Sequence, residues 1–104
     1  MTLSLVDRPL ARDDLDDIYD WLADKADLDT ALGVVSAIED RCVRLTALPN
    51  GGTPRPEIGP GVRSVPFRKR AVIAYRVEGE TLVIVGVMYG GRDLGALQEP
   101  GRLS

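Results

Sequence analysis

Polar and apolar positions change their spacing twice along this chain. "LSLVDR" (3–8) alternates and predicts a short first strand. Pro9 ends it and suits the first turn of a helix. From about Leu10 to Ala26 the spacing is helical: Leu15, Ile18, Leu22 and Ala26 recur every three or four residues and can face a core. Asp13, Asp14, Asp16, Asp17, Asp20 and Asp24 cover much of the remaining surface and read as a solvated acidic face. "ADLD" (26–29) is a tight break, with Asp29 or Thr30 as the cap of a second helix running to about Leu48. Its predicted core stripe is Leu32, Val35, Ile38, Cys42 and Leu45, so the two helices form a hairpin.

"PNGGTPRPEIGPG" (49–61), rich in Pro and Gly, predicts a loop, and one long enough to suggest a role of its own. The period then becomes that of strands. "VRSVPF" (62–67) alternates, with Pro66 marking an edge or an irregularity. "AVIAYRV" (71–77) and "TLVIVGVMY" (81–89) are β-branched and nearly continuous in apolarity, with "EGE" (78–80) as the turn between them. The expected architecture is α+β: β-α-α-β-β-β, a helical hairpin packed on one face of a mainly antiparallel four-stranded sheet. A length of 104 residues suits one domain, taken as residues 1–94, followed by a tail at 95–104.

Charge sharpens this picture. Residues 1–50 carry five Lys/Arg against eleven Asp/Glu, and residues 51–104 carry eight against five. A net charge of −3 argues against a general nucleic-acid binder, whose affinity comes from neutralising phosphates. The basic second half still permits a local cationic face. The single cysteine, Cys42, forms no intramolecular disulfide, which fits a cytoplasmic protein. The first residues lack the pattern of a signal peptide, and no apolar run approaches membrane-spanning length.

The sharpest local feature is "SVPFRKRAVIAYRV" (64–77), where Arg68, Lys69 and Arg70 stand directly before a strand. They either keep a hairpin soluble or form a binding surface with Arg63, Arg76 and Arg92. Arg76, inside an apolar strand, is expected on the uncovered sheet face or paired with a carboxylate such as Glu78 or Asp93. Trp21 on the acidic helix is either core or an interface anchor. Tyr89 ends the last strand, and Arg92-Asp93 can pin the chain as it leaves the sheet. One cysteine and no histidine exclude the usual zinc sets, and the glycine pairs lack the spacing of a phosphate loop. No cofactor and no metal are expected.

"ARDDLDDIYDWL" (11–22), "AIEDRCVRLTALPNGG" (37–52), "GVRSVPFRKRAVIAYRV" (61–77) and "VIVGVMYGGRDL" (83–94), in this order, resemble the ParE branch of the RelE/ParE superfamily of bacterial toxin–antitoxin modules. The resemblance implies a small cytoplasmic toxin, held inactive in a hetero-oligomer by a cognate ParD-like antitoxin. It implies DNA gyrase as the target, inhibited by binding and without an enzymatic step. The alternatives are a ribosome-dependent mRNA endonuclease of RelE type and a non-toxic family member that only binds antitoxin. RelE-type nucleases place an arginine early in the strand assigned to 71–77, where this chain has Ala71 or Val72. A nuclease also needs an acid and a base, and no histidine is available. Arg63, Arg68, Lys69, Arg70, Arg76, Tyr89, Arg92 and Trp21 are therefore candidates for contact with antitoxin or target, not for catalysis. Neither direct sequence-specific nucleic-acid binding nor membrane association is expected.

Overall fold

The structure, a computed structural model, describes residues 2–90 and residue 102. Its elements are β1 (Ser4–Asp7), α1 (Pro9–Lys25), α2 (Leu28–Leu45), β2 (Thr53–Pro54), β3 (Arg63–Phe67), β4 (Ala71–Glu78) and β5 (Thr81–Tyr89). The strands form one five-stranded sheet in the order β1-β5-β4-β3-β2. The α+β class and the helical hairpin follow the expectation. The strand count is five because Thr53 and Pro54, inside the expected loop, pair antiparallel with Ser64 and Arg63. The sheet is mixed because β1 runs parallel to β5, with Ser4 opposite Thr81 and Asp7 opposite Ile84. The ends of the domain expected over 1–94, and the boundary of the tail at 95, lie outside the described residues.

Helix α1 begins with Pro9 at its first position and buries Ala11, Asp14, Leu15, Ile18 and Leu22. Ala26 lies beyond it and is exposed. Helix α2 is capped by Asp27, not by Asp29 or Thr30: the Thr30 N–H donates to Asp27 Oδ1 at 2.7 Å. That hydrogen bond holds the Asp27 carboxyl below its usual range. The helix ends at Leu45, one turn short of Leu48, and buries Ala31, Ile38, Cys42 and Leu45. Leu32, expected in the core, is 56% exposed because Ala31 takes that place against α1.

One irregularity decides which strand residues meet the helices. Between β4 and β5 the register shifts: Ala74 lies opposite Gly86, but Tyr75 lies opposite Ile84. Val85 is the extra residue, a bulge that reverses the side-chain alternation of β5. Ile84 and Val87 therefore both join the core under the helices, while Val85 and Met88 face the other way. There they pack with Ile58, Val62 and Ala74. The Pro/Gly-rich loop thus folds over the second face of the sheet, with Arg55 N–H donating to the Val62 carbonyl at 2.7 Å.

Candidate functional site

The three consecutive cations occupy the β3–β4 turn. The Arg70 N–H donates to the Phe67 carbonyl at 3.0 Å, and the two residues between them are left-handed, Arg68 at φ 50° and Lys69 at φ 59°. Positive φ at both central positions is the pattern of a type I′ hairpin turn, which favours Asn and Gly. Placing residues with long side chains there costs on the order of 1 kcal/mol each. Arg68, Lys69 and Arg70 are all exposed. The Arg68 guanidinium lies 5.0 Å from the Phe67 ring centroid, a cation–π contact. The Arg70 carbonyl accepts from the Gly90 N–H at 2.9 Å, tying the turn to the end of β5.

A groove runs past this turn in three connected hollows. The first, about 150 Å³, lies between α1 and the end of β5 and is lined by Asp17, Ile18, Trp21, Val87, Tyr89 and Gly90. Trp21 and Tyr89 also line the second, about 420 Å³, whose apolar floor includes Leu22, Val34 and Phe67 and whose rim includes Lys25, Arg68 and Arg70. Phe67 and Arg68 continue into the third, along α2, with Ala37, Asp40, Arg41, Val43 and Arg44. The groove is thus apolar below and mainly cationic along its sides. Trp21 and Tyr89 stand at the junction of the first two hollows, their rings edge to face with centroids 6.0 Å apart. Trp21 is 49% exposed, so its ring is half covered by the fold and half open to a partner.

The expected cationic set is not gathered in one place. Arg68, Lys69, Arg70, Trp21 and Tyr89 share the groove or its edge. Arg63 instead donates to the Gly52 and Asn50 carbonyls at 2.8 and 3.3 Å and fastens the loop. Arg76 donates through Nε and Nη2 to Glu78 Oε2, as the pairing with Glu78 foresaw. Arg8 also donates to Glu78, at 3.0 Å to each oxygen. The hydrogen bonds from Arg76 and Arg8 hold the Glu78 carboxyl below its ordinary value. Arg92 and Asp93 lie outside the described residues.

Other contributors were not singled out in the sequence. Lys25 sits in the last turn of α1, and Arg41 and Arg44 sit three residues apart on α2, a spacing that places them on one helical face. Asp14, grouped with the solvated aspartates, is buried. Cys42 is a buried core thiol, pushed by burial up to about 12. Among the described residues no cluster of His, Cys, Asp and Glu is placed to hold a metal ion, and no helix is long and apolar enough to cross a membrane.

Comparison with known proteins places the fold. The family model described as the ParE toxin of the type II toxin–antitoxin system parDE matches residues 7–94. A chain from the chromosomal ParDE toxin–antitoxin system of P. aeruginosa superposes with a TM-score of 0.74 at 29% identity, covering 86% of this chain and 97% of that one. A chain from the RelBE2 toxin–antitoxin complex of Mycobacterium tuberculosis superposes with a TM-score of 0.64 at 21% identity, covering 86% and 99%. At that identity the second likeness establishes the fold alone. No curated protein sequence matches the chain.

Proposed function

We propose that this chain, which belongs to the ParE toxin family of type II toxin–antitoxin systems, inhibits DNA gyrase by binding and is silenced by a ParD-like antitoxin. The observation that carries the reading is the groove with its cationic turn. Arg68 and Lys69 hold left-handed backbone at an energetic cost that Asn-Gly would avoid. Strained backbone of this kind clusters at binding and switch sites.

Complementarity defines the antitoxin segment. An apolar floor of Leu22, Val34 and Phe67 suits the apolar stripe of an amphipathic helix. A rim of Lys25, Arg41, Arg44, Arg68 and Arg70 suits acidic residues on either side of that stripe. Trp21, with half its ring open, is the anchor at one end. Binding without chemistry is supported by the side chains available. The chain has no histidine, and Ala71 and Val72 stand where a RelE-type nuclease has an arginine. Cytoplasmic action follows from the same reading.

A gyrase supercoiling assay tests it directly. Purified chain is expected to block supercoiling and to accumulate cleaved DNA, and a stoichiometric amount of the antitoxin encoded beside it restores activity. Cleavage of mRNA on translating ribosomes, with gyrase unaffected, would overturn the proposal.

A further inference from the structure

β1 ends at Asp7, opposite Ile84, and the Arg8 N–H makes the last β1-side contact, to the Ile84 carbonyl at 3.0 Å. Strand β5 continues to Tyr89, so its outer edge past the Val85 bulge has no strand beside it among the described residues. An apolar, β-branched strand edge without a neighbouring strand is of the kind that invites pairing with another chain.

The Val87 N–H on that edge donates to Asp14 Oδ2 at 2.9 Å. Asp14 comes from the first turns of α1, 73 residues away in sequence, and only 5% of it is exposed. A carboxylate buried to that degree is costly when its charge is uncompensated. Arg102 compensates it: Nη1 donates to Oδ2 at 2.6 Å and Nη2 to Oδ1 at 3.0 Å, in the two-pronged geometry of the strongest guanidinium–carboxylate pairs. Arg102 is itself only 6% exposed.

We propose that Asp14 and Arg102 form a strap that closes the open end of the β5 edge, and that the strap holds Arg102 and the edge in one protected unit. Asp14 supplies the acceptor that a neighbouring strand would supply. Arg102 makes the buried acceptor affordable and seals it from water. The strap borders the hollow lined by Val87, Ile18 and Trp21, so its state also decides how that end of the groove is presented. This inference does not depend on gyrase or on the antitoxin.

Two measurements on the full chain test it. Hydrogen exchange followed by NMR reads the Val87 amide, and trypsin digestion followed by mass spectrometry reads cleavage after Arg102. In the native chain both are expected to be slow. Arg102→Gln should speed Val87 exchange by about tenfold or more while the Ile38 amide, in the α2 core, keeps its rate. Asp14→Asn, which retains an acceptor but not the charge, should make the bond after Arg102 cut several-fold faster. Should Asp14→Asn fail to fold, Arg102→Gln decides alone, since it leaves the helix and sheet residues untouched. Val87 exchange unchanged by Arg102→Gln, or cleavage after Arg102 as fast in the native chain as in folded Asp14→Asn, overturns the strap.

Discussion

Tyr75, fully buried in the middle of β4, donates its hydroxyl to the Pro49 carbonyl at 2.7 Å and so fixes the point where the chain leaves α2 for the loop. The same oxygen accepts from the Gly52 N–H at 3.1 Å. Tyr75→Phe leaves both loop groups without their buried partner and should cost about 1–3 kcal/mol. In a domain of this size that lowers Tm by about 4–8 °C per kcal/mol. Gly52→Ala should be at least as damaging, because a Cβ there would lie 2.7 Å from the Tyr75 hydroxyl and 2.9 Å from the Ser64 carbonyl. Thermal melts of both variants check this, and a native melting point for Gly52→Ala would show that the loop is not held as described.

The β3–β4 turn predicts stability and function moving in opposite directions. Replacing Arg68-Lys69 with Asn-Gly gives the turn its preferred residues and should stabilise the fold by about 1 kcal/mol or more. The same change removes the Arg68 rim charge and the Lys69 charge beside it and should weaken the antitoxin complex. Denaturant unfolding and calorimetric titration of one protein sample read the two effects. A variant that is more stable and binds as tightly as the parent removes these side chains from the interface.

Charge reversal separates the rim from the floor of the groove. Arg68→Glu with Arg70→Glu should slow association with the antitoxin and flatten its salt dependence, since rim charges act mainly through steering. Trp21→Ala should instead speed dissociation, by about tenfold or more if Trp21 is a buried anchor. Surface plasmon resonance at two salt concentrations distinguishes the two signatures.

Glu78 ties β4 to the β1–α1 junction through Arg8 while pairing with Arg76 of its own strand, and its carboxyl titrates below its ordinary 4.5. A depressed folded-state value gives stability that is complete above 4.5 and is lost as pH falls through the lower folded value. Glu78→Gln should therefore lose stability at neutral pH and show a shallower fall below pH 4.5. Parallel acid-titration slopes for the two proteins would assign the acid sensitivity elsewhere.

The strands were legible because β3, β4 and β5 carry β-branched runs bounded by clear turns, and β4 and β5 were placed within a residue of their ends. Helix α2 was placed and most of its facing was right, with Ile38, Cys42 and Leu45 buried and Val35 partly so; only Leu32 of the expected stripe faces out. Leu28, Leu32 and Val43 are exposed while the small Ala31 is buried, and close helix approach selects the small residue. The parallel partner of β1 is a long-range choice that a four-residue alternation does not encode. The second core failed for a related reason, since Ile58 and Val62 are hidden among prolines and glycines. At the site, the cationic turn and Trp21 stood out as exceptions to their surroundings. Asp14 did not, because one buried aspartate among six has the same local pattern as its solvated neighbours.

Cys42 offers a test of the core that needs no partner. Burial, with Asp7 and Glu39 adding to it, raises its thiol from an ordinary 9.0 to about 12. The thiolate is the reactive form, so iodoacetamide at pH 8.5 should modify the native chain far more slowly than the unfolded one. The modification rate then reports opening of the α2 core. Linkage gives a second readout. A thiol raised on folding contributes stability that is complete below 9.0 and is lost as pH rises toward 12, because the unfolded chain ionises first. Over that window the loss is on the order of a few kcal/mol, at about 1.4 kcal/mol per pH unit. Other groups titrate in the same range, so the comparison that isolates the thiol is with Cys42→Ala. That variant should start less stable, from the small cavity it leaves beside Ile38 and Leu45, and should then lose less stability between pH 9 and 12. Rapid labelling of the native protein, or equal alkaline slopes for the two chains, would mean that the helical hairpin does not seal this residue from water.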